Sequence, residues 1–169
     1  MHQTAAQCRY LARLTQRALA KLDDSHRALE PRPDLKTAGW LIGHLAVTGD
    51  FGRHLCGGRP VCPREWRAAF NPGTTPSTDP AQYPPMRELG DTFRAVYGDL
   101  YTISQTAEPA LLAAPNPYTP AIGDFPTAGD FLAYLMTGHI AYHLGQLTEW
   151  CAAAGLGRVL AAGAEDASR

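Results

Sequence analysis

Proline placement does most to limit what this chain can fold into. Its 14 prolines fall in three zones: Pro31 and Pro33, then Pro60 to Pro85, then Pro109 to Pro126. Proline lacks a backbone N–H, and its ring clashes with the preceding helical turn. Long regular elements are therefore confined to the four proline-free stretches between and around these zones. Each of those stretches carries apolar residues at a helical period, and none shows the alternation of a strand.

The first helix is predicted from about Thr4 to Leu22, with Thr4 and Gln7 suited to a capping box. Its inward stripe is Cys8, Leu11, Leu14, Ala18 and Leu22. The second is predicted from about Thr37 to Cys56, stopped by Gly57 and Gly58. The third runs from about Met86 to Thr106, with Met86, Leu89, Phe93, Val96, Leu100 and Ile103 facing inward. The fourth runs from about Thr127 to Ala154, with Thr127 and Asp130 at its start and Gly155 at its end.

Four amphipathic helices in 169 residues predict an all-α four-helix bundle. One domain spans residues 1–169, with its core over about 4–156 and the Ala- and Gly-rich tail after Leu156 expected to fray. The long proline-rich loop between helices 2 and 3 is too long for a tight hairpin. It has the reach to run the length of the bundle and leave those two helices parallel.

Charge and hydropathy exclude several function classes. The 15 basic and 16 acidic side chains nearly cancel and form no patch, which argues against nucleic acid as a partner. No apolar stretch is long enough to span a membrane, and no basic-then-apolar leader opens the chain. The expected location is cytoplasmic, with Cys8, Cys56, Cys62 and Cys151 as free thiols, since their spacing contains no CxxC pair.

The chemistry-bearing segment is His139-Ile-Ala-Tyr-His143-Leu-Gly-Gln146. Two histidines four apart stack on one helix face and can share a metal ion. That face also carries Leu132, Leu135, Gln146 and Trp150, so the imidazoles interrupt an apolar, core-facing stripe. Burying them unpaired would be costly. His44 interrupts a similar stripe of Trp40, Leu41, Val47, Thr48, Phe51 and Leu55. Two facing helices would bring three imidazoles to one divalent metal. No Asp or Glu lies on these faces one turn away, which favours an open, catalytic type of site over a closed structural one.

Gln146 is placed to orient a ligand or a bound water, and Tyr142 and Trp40 adjoin the site. Each also has an ordinary reading as a packed or hydrogen-bonded core residue. Gly43, Gly138 and Gly145 read foremost as close-packing positions. Arg53 and Arg59 read as solvated charge, or as binders of an anionic substrate.

Gly39-Trp40-Leu41-Ile42-Gly43-His44-Leu45, together with the HxxxH-x-G-Q run of His139, His143, Gly145 and Gln146, resembles the DinB/YfiT-like family of metal-dependent proteins. The resemblance covers roughly residues 4–156. It implies an up-down-down-up bundle, a three-His site for a divalent ion such as zinc or nickel, and a homodimer. A bound metal could activate a water for hydrolysis of a small molecule or a thiol for transfer, and the resemblance favours thiol S-transferase chemistry with a low-molecular-weight thiol as co-substrate. The Pro60–Pro85 segment departs from a typical member. A non-catalytic metal-binding or stress-response module, and a purely structural bundle with hydrogen-bonded histidines, are the rival readings.

Overall fold

Helix boundaries follow the proline map in the computed structural model, which describes residues 1–159. The elements are α1 (His2–Leu19), α2 (Ala38–Leu55), α3 (Trp66–Phe70), α4 (Met86–Thr106), α5 (Pro109–Ala113), α6 (Ala128–Tyr134) and α7 (Ile140–Ala153). A π-helical turn, Leu135–His139, joins α6 to α7 in one continuous helical run. All regular structure among the described residues is helical, apart from an isolated bridge between Pro115 and Thr127. No helix among them is long and apolar enough to cross a membrane.

Local chemistry sets the helix ends. Thr127 and Asp130 form the capping box, each side chain accepting from the other's backbone N–H. Gly57 (φ +82°) and Gly155 (φ +76°) take the left-handed conformation that ends α2 and α7. The N–H groups of Gly58 and Leu156 then reach back to the carbonyls of Arg53 and Cys151, which is the Schellman arrangement. The Thr4–Gln7 box does not form, because α1 starts at His2 and has already enclosed both residues. The buried face of α1 is Ala5, Cys8, Ala12, Thr15, Ala18 and Leu19, with Leu11 and Leu14 only half-buried and Leu22 beyond its end. Small side chains thus face inward where α1 packs on α4 and α7.

On α4 the predicted stripe is buried from Met86 to Leu100, with Ile103 half-buried at its edge. Positions advance together along α2 and α4: Gly49 lies against Val96 and Tyr97, Arg53 pairs with Asp99, and Gly58 faces Ile103. A shared direction of advance is what parallel helices produce.

The long connection is not featureless. It contains α3 and a 3₁₀ turn at Pro80–Gln82, and it buries Trp66, Phe70 and Tyr83. It covers the side of α2 left open by α4 and α7, so α2 is buried all round from Ala38 to Asp50 rather than on one face. Arg53 is neither solvated nor free for an anionic ligand. It is buried between Asp50 (2.9 Å) and Asp99 (2.7 Å). The Asp50 carboxylate in turn accepts from the N–H groups of Val61 and Cys62, which pins the start of the connection to α2. Val159, three residues past Leu156, is buried, so fraying does not begin directly after Leu156. Residues 160–169, the rest of that expected tail, lie outside the described residues. Cys8, Cys56 and Cys151 are buried, Cys62 is half-buried, and all four are free.

Candidate metal centre

Three imidazoles converge between α2 and the last helical run. His44, His139 and His143 are all buried, and one ring nitrogen from each lies within 4.8 Å of the others. The residues expected to meet from two separate stretches of sequence do meet.

A wide turn presents the later pair. Burial along the last run recurs every four residues at Ala128, Leu132, Met136, Ile140 and Leu144. An α-helix of 3.6 residues per turn drifts about 40° for each such step. The π turn at Leu135–His139 takes up part of that drift just before His143. Thr137 Oγ1 donates to the carbonyl of Ala133 one turn back, inside the stretch where the wider turn loosens the ladder.

His44 is oriented from outside its helix. Its Nδ1–H donates to the carbonyl of Phe70 at 2.7 Å, which leaves Nε2 as a bare lone pair. Gly43 makes that contact possible: a Cβ there would run into the Phe70 ring. Trp40 stacks on His44 with ring centres 4.5 Å apart and planes 10° apart, and its indole N–H is held by Thr74 Oγ1 at 2.9 Å.

His143 is oriented from within its helix. Its Nδ1–H donates to Gln146 Oε1 at 2.7 Å, which again frees Nε2. Gln146 Nε2 continues the chain to the hydroxyl of Tyr142 at 3.1 Å, and Tyr142 itself is 62% exposed. Gln146 therefore touches a proposed ligand, whereas Tyr142 bonds Gln146 and meets the His143 ring edge-on. Thr48 does not reach the imidazoles. Its hydroxyl bonds the carbonyls of His44 and Leu45 in its own helix. Of the other glycines, Gly138 faces only the Tyr134 ring and Gly145 faces open space, so neither is a helix-packing position.

The site suits a cation. Nε2 of His44 and Nε2 of His139 lie 3.1 Å apart. A proton on His139 Nε2 makes that a hydrogen bond but leaves the buried Nδ1 lone pair without a partner. A proton on Nδ1 leaves a buried N–H unpartnered and sets two lone pairs face to face. A cation between the two Nε2 atoms relieves the facing lone pairs of the second tautomer, while the Nδ1–H stays without a protein partner. Two imidazole nitrogens bound to one zinc ion at about 2.0–2.1 Å sit roughly this far apart. Burial holds all three rings neutral, which is the ligating form: His44 and His143 are pushed down to about 4 and His139 to about 3. No carboxylate or thiol joins the cluster among the described residues.

The sequence profile of the DinB superfamily matches residues 7–147, a span that includes all three histidines and Gln146. A conserved protein of Enterococcus faecalis, known from a crystal structure, is similar in fold, with a TM-score of 0.64 at 17% identity. The match covers 89% of this chain and 94% of that one. At that identity the likeness bears on the fold alone. No curated protein matches the chain.

Proposed function

The chain belongs to the DinB superfamily, and from that premise we propose that it is a metal-dependent enzyme acting on a small molecule, with His44, His139 and His143 as the metal ligands. The observation that carries this reading is the convergence of three buried, neutral imidazoles with no acidic partner among the described residues. A divalent ion held there lowers the pKa of a bound thiol or water and supplies a nucleophile near neutral pH. The protein's own part is positional. Phe70 and Gln146 fix which nitrogen of His44 and His143 is free, and Trp40 holds the plane of the His44 ring.

Thiol transfer to an electrophile, with a low-molecular-weight thiol as co-substrate, is preferred to hydrolysis because of the family likeness. Zinc and nickel both suit an imidazole donor set. The same reading includes an up-down-down-up course for α1, α2, α4 and the last run, supported by the common direction of α2 and α4. It also includes a homodimer and a cytoplasmic location.

Elemental analysis of tag-free protein purified without added metal tests the site. It is expected to find about one divalent ion per chain, absent from His44→Ala. Metal-loaded protein is then incubated with an electrophile and candidate thiols. Turnover that survives His44→Ala unchanged rejects the mechanism.

A second reading, a non-catalytic metal-binding or stress-response module, draws on the burial of the rings. None of the three lines the surface cleft bordered by Met86 and Arg94 or the one bordered by Lys36 and Thr75. That reading predicts a metal with its coordination filled by the protein and no rate enhancement with any thiol.

A further inference from the structure

The chain turns back on itself just after Phe70, and its local sequence is made for that. In Asn71-Pro72-Gly73-Thr74 the Thr74 N–H donates to the Asn71 carbonyl at 3.2 Å, and Gly73 in third place takes the positive φ (+87°) that a type II turn requires there. The turn brings the Thr74 hydroxyl against the residues it has just passed. Its one hydrogen is donated to the carbonyl of Ala69 at 2.9 Å or of Asn71 at 2.8 Å. Those two carbonyls flank Phe70, whose own carbonyl accepts from His44 Nδ1–H. The same hydroxyl oxygen accepts the indole N–H of Trp40 at 2.9 Å. Trp40 is buried, so its N–H depends on that oxygen.

One hydroxyl therefore joins the two contacts that aim the His44 ring. The Phe70 carbonyl holds Nδ1 and sets how the ring is turned within its plane. The Trp40 indole, stacked at 4.5 Å and 10°, sets the plane itself. Ligation needs both, because Nε2 offers a single lone pair along one direction. The other fastenings of the connection lie further along it. Asp50 holds the N–H groups of Val61 and Cys62, and Thr37 Oγ1 meets the Tyr83 hydroxyl at 3.0 Å. Between those two points, Phe70 and Thr74 supply the hydrogen bonds from the connection to α2.

We propose that Thr74 is a positioning residue for the metal centre: its hydroxyl ties the Trp40 ring to the Phe70 segment and so holds His44 Nε2 on the line along which it meets the ion. The inference rests on the three-histidine reading. It gives a role to the proline-rich connection, the part of the chain that departs from a typical family member. Thr74 acts only through Trp40 and Phe70 and touches none of the three imidazoles by hydrogen bond.

The test uses the full-length protein and two readouts: zinc affinity by chelator competition, and the visible absorption of the cobalt-loaded form, which responds to ligand geometry. Thr74→Val exchanges the hydroxyl for a methyl. It is expected to weaken zinc binding about tenfold and to change the cobalt spectrum. Thr74→Ser keeps the hydroxyl and is expected to restore both. Thr74→Val should also cost less affinity in a Trp40→Phe background, where no indole N–H is left to hold, than in wild type. Wild-type affinity in Thr74→Val, no recovery in Thr74→Ser, or equal costs in the two backgrounds overturns the inference. Weaker zinc binding with an unchanged cobalt spectrum overturns it too, because lost stability alone then explains the effect. Failure of wild type to bind either ion overturns the three-histidine reading and this inference with it. Should Thr74→Val not fold, Trp40→Phe decides: weaker zinc binding there is the expected result, and wild-type affinity overturns the inference.

Discussion

His44 and His143 each commit one ring nitrogen to an oxygen at 2.7 Å, but the oxygens come from different scales of structure. Gln146 lies three residues from His143 in the same helix, so that anchor is present whenever the helix is. The Phe70 carbonyl lies 26 residues from His44. It arrives only if the proline-rich connection folds across α2 and if residue 43 has no side chain. His139, one turn before His143, has no anchor on its outer nitrogen at all. A single site can thus combine a ligand oriented locally, a ligand oriented by tertiary packing and one held by its neighbours alone.

The largest test of this contrast is pH. All three rings have lowered pKa values in the folded, metal-free protein, so between about pH 6.5 and 4 the unfolded chain binds more protons than the native one. Stability is then present in full above the unfolded value and falls as pH drops through this window. The loss from pH 7 to 5 is roughly 2 kcal/mol for each ring. Urea unfolding of chelator-treated protein measures it. His139→Leu should flatten the profile, as should the same change at either anchored ring, because each native ring stays neutral down to about pH 5; an unchanged slope would mean the ring is not buried as described.

Next in size is Gly43→Ala. The added methyl collides with Phe70, so about 1–3 kcal/mol of stability should be lost, and metal affinity should fall with it as the carbonyl moves off His44. Calorimetric unfolding and metal titration of the same samples check that the two losses travel together. Gln146→Ala should separate them. It is expected to weaken metal binding about 10- to 100-fold while leaving the melting temperature of metal-free protein nearly unchanged. The smallest effect is expected at Gly145, which faces open space inside a helix. Gly145→Ala should raise stability by about 0.5–1 kcal/mol and leave metal affinity alone. A loss of affinity there would show that the exposed face of α7 takes part in the site.

Much of this was legible in advance, and the reasons are specific. The 14 prolines outlined the four long helical stretches. Thr127 with Asp130, Gly57 and Gly155 set ends because a cap is a contact within a few residues. The stripe of α4 was read correctly because its large side chains all face one way. On α1 the same rule failed, because Ala5, Ala12 and Thr15 turn inward where helices approach closely, and apolar size no longer marks the buried face. Arg53 was misread because its partners, Asp50 and Asp99, are assembled across two helices.

What the sequence by itself determined was the helical class, the approximate extent of the four long helical stretches and the identity of three histidines interrupting inward-facing stripes. Those depend on intrinsic backbone preferences and on a period of 3.6 residues, both of which are local. Only the tertiary structure decided that α2 is enclosed on every side, that Phe70 and Trp40 fix the His44 ring, and that Lys36 lies over the Trp40 ring. Each of those depends on where a distant stretch of chain comes to rest, and packing between side chains far apart in sequence sets that position.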